Sequence, residues 1–174
     1  MKRSELTSSD CPAYYQGYLN TLPPDADLLT MLGRQLGNFP EFIKSIPPDL
    51  WSYRYADGKW TLAESLGHVY DTERVFQYRA LRFGRKDATP LPGFEQDEWI
   101  WASPAGKWSA ERHLEEYQAV RQATLSLFRD FSREDLSWKG TASGKPMSLG
   151  AIGFIICGHQ RHHRNIIRER YLDQ

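Results

Sequence analysis

The sequence predicts an all-α protein, a four-helix bundle built as one domain. Four stretches carry apolar residues at alternating spacings of three and four, the period of a helix with one buried face. Helix-start signals precede several of them, and no alternating strand pattern of useful length occurs. At 174 residues the chain suits a single core without disulfide or metal staples.

Residues 1–24 read as an N-terminal tail, hydrophilic at first and then rich in Tyr, Ser and Pro, and residues 25–174 as the bundle domain. The first helix spans Asp25 to Ile46, with Leu29, Leu32, Leu36, Phe39, Ile43 and Ile46 on its apolar face. Pro40 lies inside that pattern and removes a backbone donor, so a kink or two helical pieces are expected. Thr61-x-x-Glu64 is a capping box, and the second helix runs from there to Phe83 with Leu62, Leu66, Val69, Phe76 and Ala80 inward. His68 falls off the centre of that arc.

Gly84 to Trp108 forms a long crossover connection between the second and third helices, of the kind that often carries function. The third helix runs from Ser109 to Phe131, with Leu114, Tyr117, Val120, Thr124, Leu127 and Phe131 inward. A turn-rich stretch leads to Met147-Ser148, where serine caps the fourth helix and Met147 packs as a staple on Ile152.

That last helix carries the chemistry. Ile152, Ile156, His159, His163 and Ile166 share one stripe, because residues four apart lie about 40° apart on the wheel. An imidazole among isoleucines must find partners for its ring nitrogens once water is removed. Two stacked histidines leave two readings open: carboxylates or carbonyls across the core, or a shared metal. His162 points away from the stripe. His68 joins the pair if the second and fourth helices run antiparallel; parallel packing would separate them.

Twenty-two basic and twenty-two acidic residues cancel, which gives no support to nucleic acid or an anionic membrane as partner. Two cysteines, Cys11 and Cys157, make no disulfide framework and fit a reducing compartment. With no signal-peptide core and no membrane-length apolar run, the expectation is a soluble cytoplasmic protein. Serine-nucleophile elbows, phosphate-binding glycine loops and dinucleotide fingerprints are absent from the sequence.

Lys59-Trp60-Thr61, then Gly67-His68-Val69-Tyr70-Asp71-Thr72-Glu73, Arg79-Ala80-Leu81-Arg82-Phe83, Leu91-Pro92-Gly93-Phe94 and Gly158-His159-Gln160-Arg161-His162-His163 together resemble the DinB-like superfamily. The resemblance covers nearly all of the chain beyond the first twenty or so residues. It implies an up-down-down-up bundle, a homodimer, and a divalent metal held by His68, His159 and His163. It also implies a metal-dependent enzyme acting on a small molecule, an S-transferase that joins a low-molecular-weight thiol such as bacillithiol or mycothiol to an electrophile. The alternatives are a metal-dependent hydrolase or a non-catalytic metal- or ligand-binding bundle.

Three neutral imidazoles leave an open position on the ion, as in catalytic zinc sites, and zinc or nickel is the expected metal. Glu64 and Asp71 lie within about 40° and 60° of His68 on the wheel and are candidates to orient a ligand imidazole or to serve as a base. Phe94, Trp99 and Trp101 in the long connection are candidates to roof a substrate pocket.

Overall fold

Each long helix begins at a side chain that closes its first turn, and that fixes where the core-facing stripes start. In the computed structural model, which describes residues 1–172, the helices are α1 (Gln16–Leu19), α2 (Leu28–Lys44), α3 (Leu62–Gly84), α4 (Gln96–Ala102), α5 (Ala110–Arg129), α6 (Arg133–Ser137) and α7 (Leu149–Ile167). Asp27, Thr61, Ser109 and Ser148 each accept a hydrogen bond from the backbone N–H three residues on, at 3.1–3.2 Å. Glu64 accepts in return from the Thr61 N–H at 2.7 Å, completing the capping box. Each such cap stabilises a helix by about 1 kcal/mol.

Pro40 neither breaks α2 nor ends it. The expected split does not occur, because Phe39, Pro40, Phe42 and Ile43 are all buried and their packing offsets the lost donor.

Partner residues fix the helix directions. Tyr70 packs on His113, Arg74 pairs with Glu116 and Gln77 donates to the Val120 carbonyl, so numbers rise together and α3 runs parallel to α5. Gln35 meets Arg121 while Phe39 meets Tyr117, which makes α2 and α5 antiparallel. Gln35 donates to the Cys157 carbonyl and Phe42 lies under Arg164, so α2 and α7 are parallel. Leu62, Leu66 and Val69 share one apolar cluster with Ile167 and Tyr171, whereas Phe76, Ala80 and Phe83 share another with Leu149 and Ile152, so α3 and α7 are antiparallel. The order is up, down, down, up.

Two successive parallel helices need a long return, which the 84–108 segment supplies. This segment has structure of its own: α4, a 3-10 turn over Pro104–Lys107, and a rung in which the Leu91 N–H donates to the Thr141 carbonyl at 2.9 Å.

Two features depart from the sequence expectation. Residues 1–24 pack on the bundle: Cys11, Leu19 and Leu22 are buried, and the Ser148 N–H donates to the Asp10 carbonyl at 2.8 Å. A short hairpin also precedes α7, with β1 (Lys139–Ala142) antiparallel to β2 (Lys145–Ser148). Its turn places Ser143 and Gly144 at φ 52° and 70°, the left-handed pair that suits a two-residue hairpin loop. Four-residue strands are too short to leave an alternating signature. Residues 173 and 174 of the predicted domain lie outside the described residues, and no described helix is long and apolar enough to cross a membrane.

Candidate metal centre

His68 on α3 and His159 and His163 on α7 meet where the two apolar clusters adjoin. Antiparallel packing of the two helices puts the seventh residue of one level with the far part of the other. The ring centroids lie 4.5–5.0 Å apart. One nitrogen from each ring falls within 4.8 Å of the others, and all three side chains are buried.

Ligand nitrogens about 2.05 Å from a shared tetrahedral ion stand roughly 3.3 Å apart. His68 Nε2 and His159 Nε2 face each other at 3.1 Å. His163 Nδ1 is buried without a hydrogen-bond partner. Paired imidazoles satisfied by carboxylates would show acidic partners, and the group contains none among the described residues.

Burial pushes the His68 pKa down to about 4, with repulsion from His162 adding to it. It holds His159 and His163 well below the ordinary histidine range, helped by repulsion from the neighbouring imidazoles. Neutral rings keep their lone pairs, the form in which imidazole binds a metal. An orphaned nitrogen, two ring nitrogens facing each other at close range and rings that burial keeps neutral fit a divalent cation.

Glu64 and Asp71 are engaged elsewhere. Glu64 closes the capping box and pairs with Arg54 at 3.1 Å, and Asp71 pairs with Arg74 at 3.6 Å. The side chain that reaches His68 is Thr72, whose hydroxyl lies 3.4 Å from Nδ1. Trp60 lies against the His68 ring at 4.8 Å, and Tyr18 packs edge-on against His159 at 5.2 Å.

A family model, the DinB superfamily, matches residues 31–167. The chain belongs to the DinB superfamily. A relative from Oceanobacillus iheyensis, named "Putative metal-dependent hydrolase", is 22% identical over 126 residues, 71% of each chain. The fold is similar to that of YfiT from Bacillus subtilis, with a TM-score of 0.70 and 13% identity over 86% of this chain and 92% of that one. YfiT is described as a probable metal-dependent hydrolase with an unusual four-helix bundle topology.

In this DinB-superfamily chain a cavity of about 440 Å³ opens beside His163, with Tyr55, Trp60, Asp97, Trp101 and Tyr171 in its wall. A second of about 430 Å³ lies beyond Tyr18, and Asp97 borders both. Of the three aromatics singled out in the long connection, Trp101 borders the histidine cavity, whereas Phe94 and Trp99 border a larger one that holds no imidazole. The larger cavity is therefore not the one at the histidines, and the chemistry of the walls is the better guide to where a metal reaction would occur.

Sequence reasoning passed over Thr72, Tyr18 and Asp97 as site residues. Thr72 sits four residues after His68 on one helix face, a visible signal. Tyr18 and Asp97 arrive from segments whose path no periodicity records.

Proposed function

We propose that His68, His159 and His163 hold one divalent metal ion, zinc or nickel, and that the chain is a metal-dependent enzyme acting on a small molecule. The observation that carries this reading is the buried cluster of three imidazoles with no carboxylate among them. A divalent cation held by three neutral ligands supplies Lewis-acid chemistry, acidifying a bound water or thiol and polarising an acceptor oxygen.

The chain's own residues do the rest. Thr72 orients the His68 ring, Trp60 and Tyr18 shield the imidazoles, and Tyr55, Trp101 and Tyr171 offer apolar walls to a substrate. Asp97 is a carboxylate in the cavity wall and would take a proton there. Hydrolysis is the reaction class in the names of both similar proteins. Transfer of a low-molecular-weight thiol is the second reading. A thiol needs one deprotonation before attack, which the cation itself would favour, so this reading requires neither Glu64 and Asp71, both paired with arginines, nor Asp97.

Metal analysis of untagged protein is expected to give close to one ion per chain, and His159→Ala or His163→Ala to give almost none. The loaded protein is then offered ester, amide and electrophile panels with and without small thiols. Turnover without thiol supports hydrolysis, and turnover only with thiol supports transfer. Stoichiometric metal with no turnover on any panel would reduce the chain to a binding bundle.

A further inference from the structure

We propose that the cavity between α3, α4 and the Leu91–Phe94 segment is a second small-molecule site, taking an aromatic monocarboxylate on the guanidinium of Arg79. Its volume is about 810 Å³, within the usual range of ligand pockets, and no histidine of the metal cluster borders it. The proposal stands apart from the metal reading.

Arg79 is only 1% exposed and is one of the residues that form the wall. Its Nη2 donates to the Pro92 carbonyl at 3.1 Å and the Ser143 hydroxyl at 2.8 Å, and its charge lies 5.3 Å from the Phe76 ring centre. Nη1 has no hydrogen-bond partner. No carboxylate lies within ion-pair distance of this guanidinium among the described residues. The phenol of Tyr15 also approaches this guanidinium, and both the Arg79 charge and a side-chain hydrogen bond with it oppose the upward push of burial on the phenol's pKa, so what the guanidinium lacks is a counter-charge.

Arg121 makes the contrast, being equally buried and gripped by both oxygens of Glu73 at 2.7 and 2.8 Å. A buried charge without its counter-charge is costly, and a carboxylate arriving at Nη1 would make a short charge-assisted bond there.

The remaining wall sets the rest of the ligand. Phe94 and Trp99 lie in contact at 4.8 Å between ring centres, and Trp108 and Val75 complete an apolar surface suited to an aromatic ring. Asp71 and Glu116 also border the cavity, and both pair with Arg74. Glu98 borders it with no ion pair among the described residues, so a second acidic group on the ligand would meet repulsion. One carboxylate on an aromatic body is the chemistry that fits.

Calorimetric titration of metal-stripped full-length protein with 3-phenylpropionate, and with 3-phenylpropionamide as the neutral match, tests this. The acid is expected to saturate at least tenfold more tightly than the amide. Arg79→Gln should erase that preference. Val75→Trp, which fills the cavity, should abolish binding of both while helix content and metal uptake stay as in the parent. Should Arg79→Gln fail to fold, the acid–amide comparison and the filled cavity still decide. Equal affinity for the two probes, no saturation by either, or undiminished binding to Val75→Trp overturns the proposal.

Discussion

At His68 the ring position is set by two neighbours, Trp60 against its face and the Thr72 hydroxyl at Nδ1. Orienting partners of ligand histidines typically contribute tenfold to a hundredfold in metal affinity. Thr72→Val is therefore expected to weaken metal binding at least tenfold in competition with a chelating dye, and to change the unfolding of the metal-free protein little, since the isostere keeps its packing. His113 is a separate case, because it is buried outside the three-histidine cluster, between Trp51 and Trp108. Burial pushes its pKa down to about 4, against a partial upward push from its hydrogen bond with the Ala105 carbonyl. An unfolded histidine takes up its proton near pH 6.5, so between there and about pH 4 the unfolded chain binds a proton that the folded chain refuses. Stability is then full above pH 6.5 and falls as pH drops through that window, by about 3 kcal/mol from this group. Urea unfolding of metal-free protein at pH 7 and pH 4.5 should show the fall, and His113→Phe should flatten part of it. A slope unchanged by that substitution would remove His113 as a source.

The elements were the most legible level of the sequence, and the contacts between them the least. Caps at Thr61 and Ser148, with a three–four period between them and the helix ends, locate α3 and α7 to within a few residues, because capping and periodicity are local properties. The stacking of His159 and His163 on one face followed from the same wheel. That His68 meets them is a matter of helix direction, which spacing alone left open. The hairpin and the packing of residues 1–24 were not legible, since both depend on tertiary contact rather than on a repeat. Gly158 marks one such contact: a methyl group there would fall on the carbonyl of Tyr18, whose ring covers His159 and His162. Alanine is the better helix former by about 1 kcal/mol. Gly158→Ala is nevertheless expected to destabilise the protein by about 1 to 3 kcal/mol, through overpacking, and to speed amide exchange across residues 16–22. A gain in stability would mean that the N-terminal segment yields freely and does not hold the cover over the histidines.

Across the whole molecule, the up-down-down-up order puts two successive helices parallel, and something must hold their register against a connection of about 25 residues. Glu73 on α3 grips Arg121 on α5 through both oxygens, Thr124 donates to the same carboxylate at 2.6 Å, and Arg121 reaches Gln35 on α2 at 2.6 Å. Periodicity could not announce this network, because it places an arginine and a glutamate on faces that a hydropathy pattern expects to be apolar. Burial works against the Arg121 charge, and the carboxylate of Glu73 more than offsets it, so the guanidinium stays protonated. Breaking such a pair strands one charge, at about 3 to 5 kcal/mol, whereas replacing both partners by apolar residues is often neutral or better. Glu73→Leu and Arg121→Leu are thus each expected to lower stability by about 3 to 5 kcal/mol in urea unfolding, and the double variant to recover most of that loss. If the network also sets register, the double variant will be stable yet bind metal more weakly than the parent, because α3 could then slide and carry His68 away from the α7 pair. Recovery of both stability and metal affinity would assign the register to apolar packing alone.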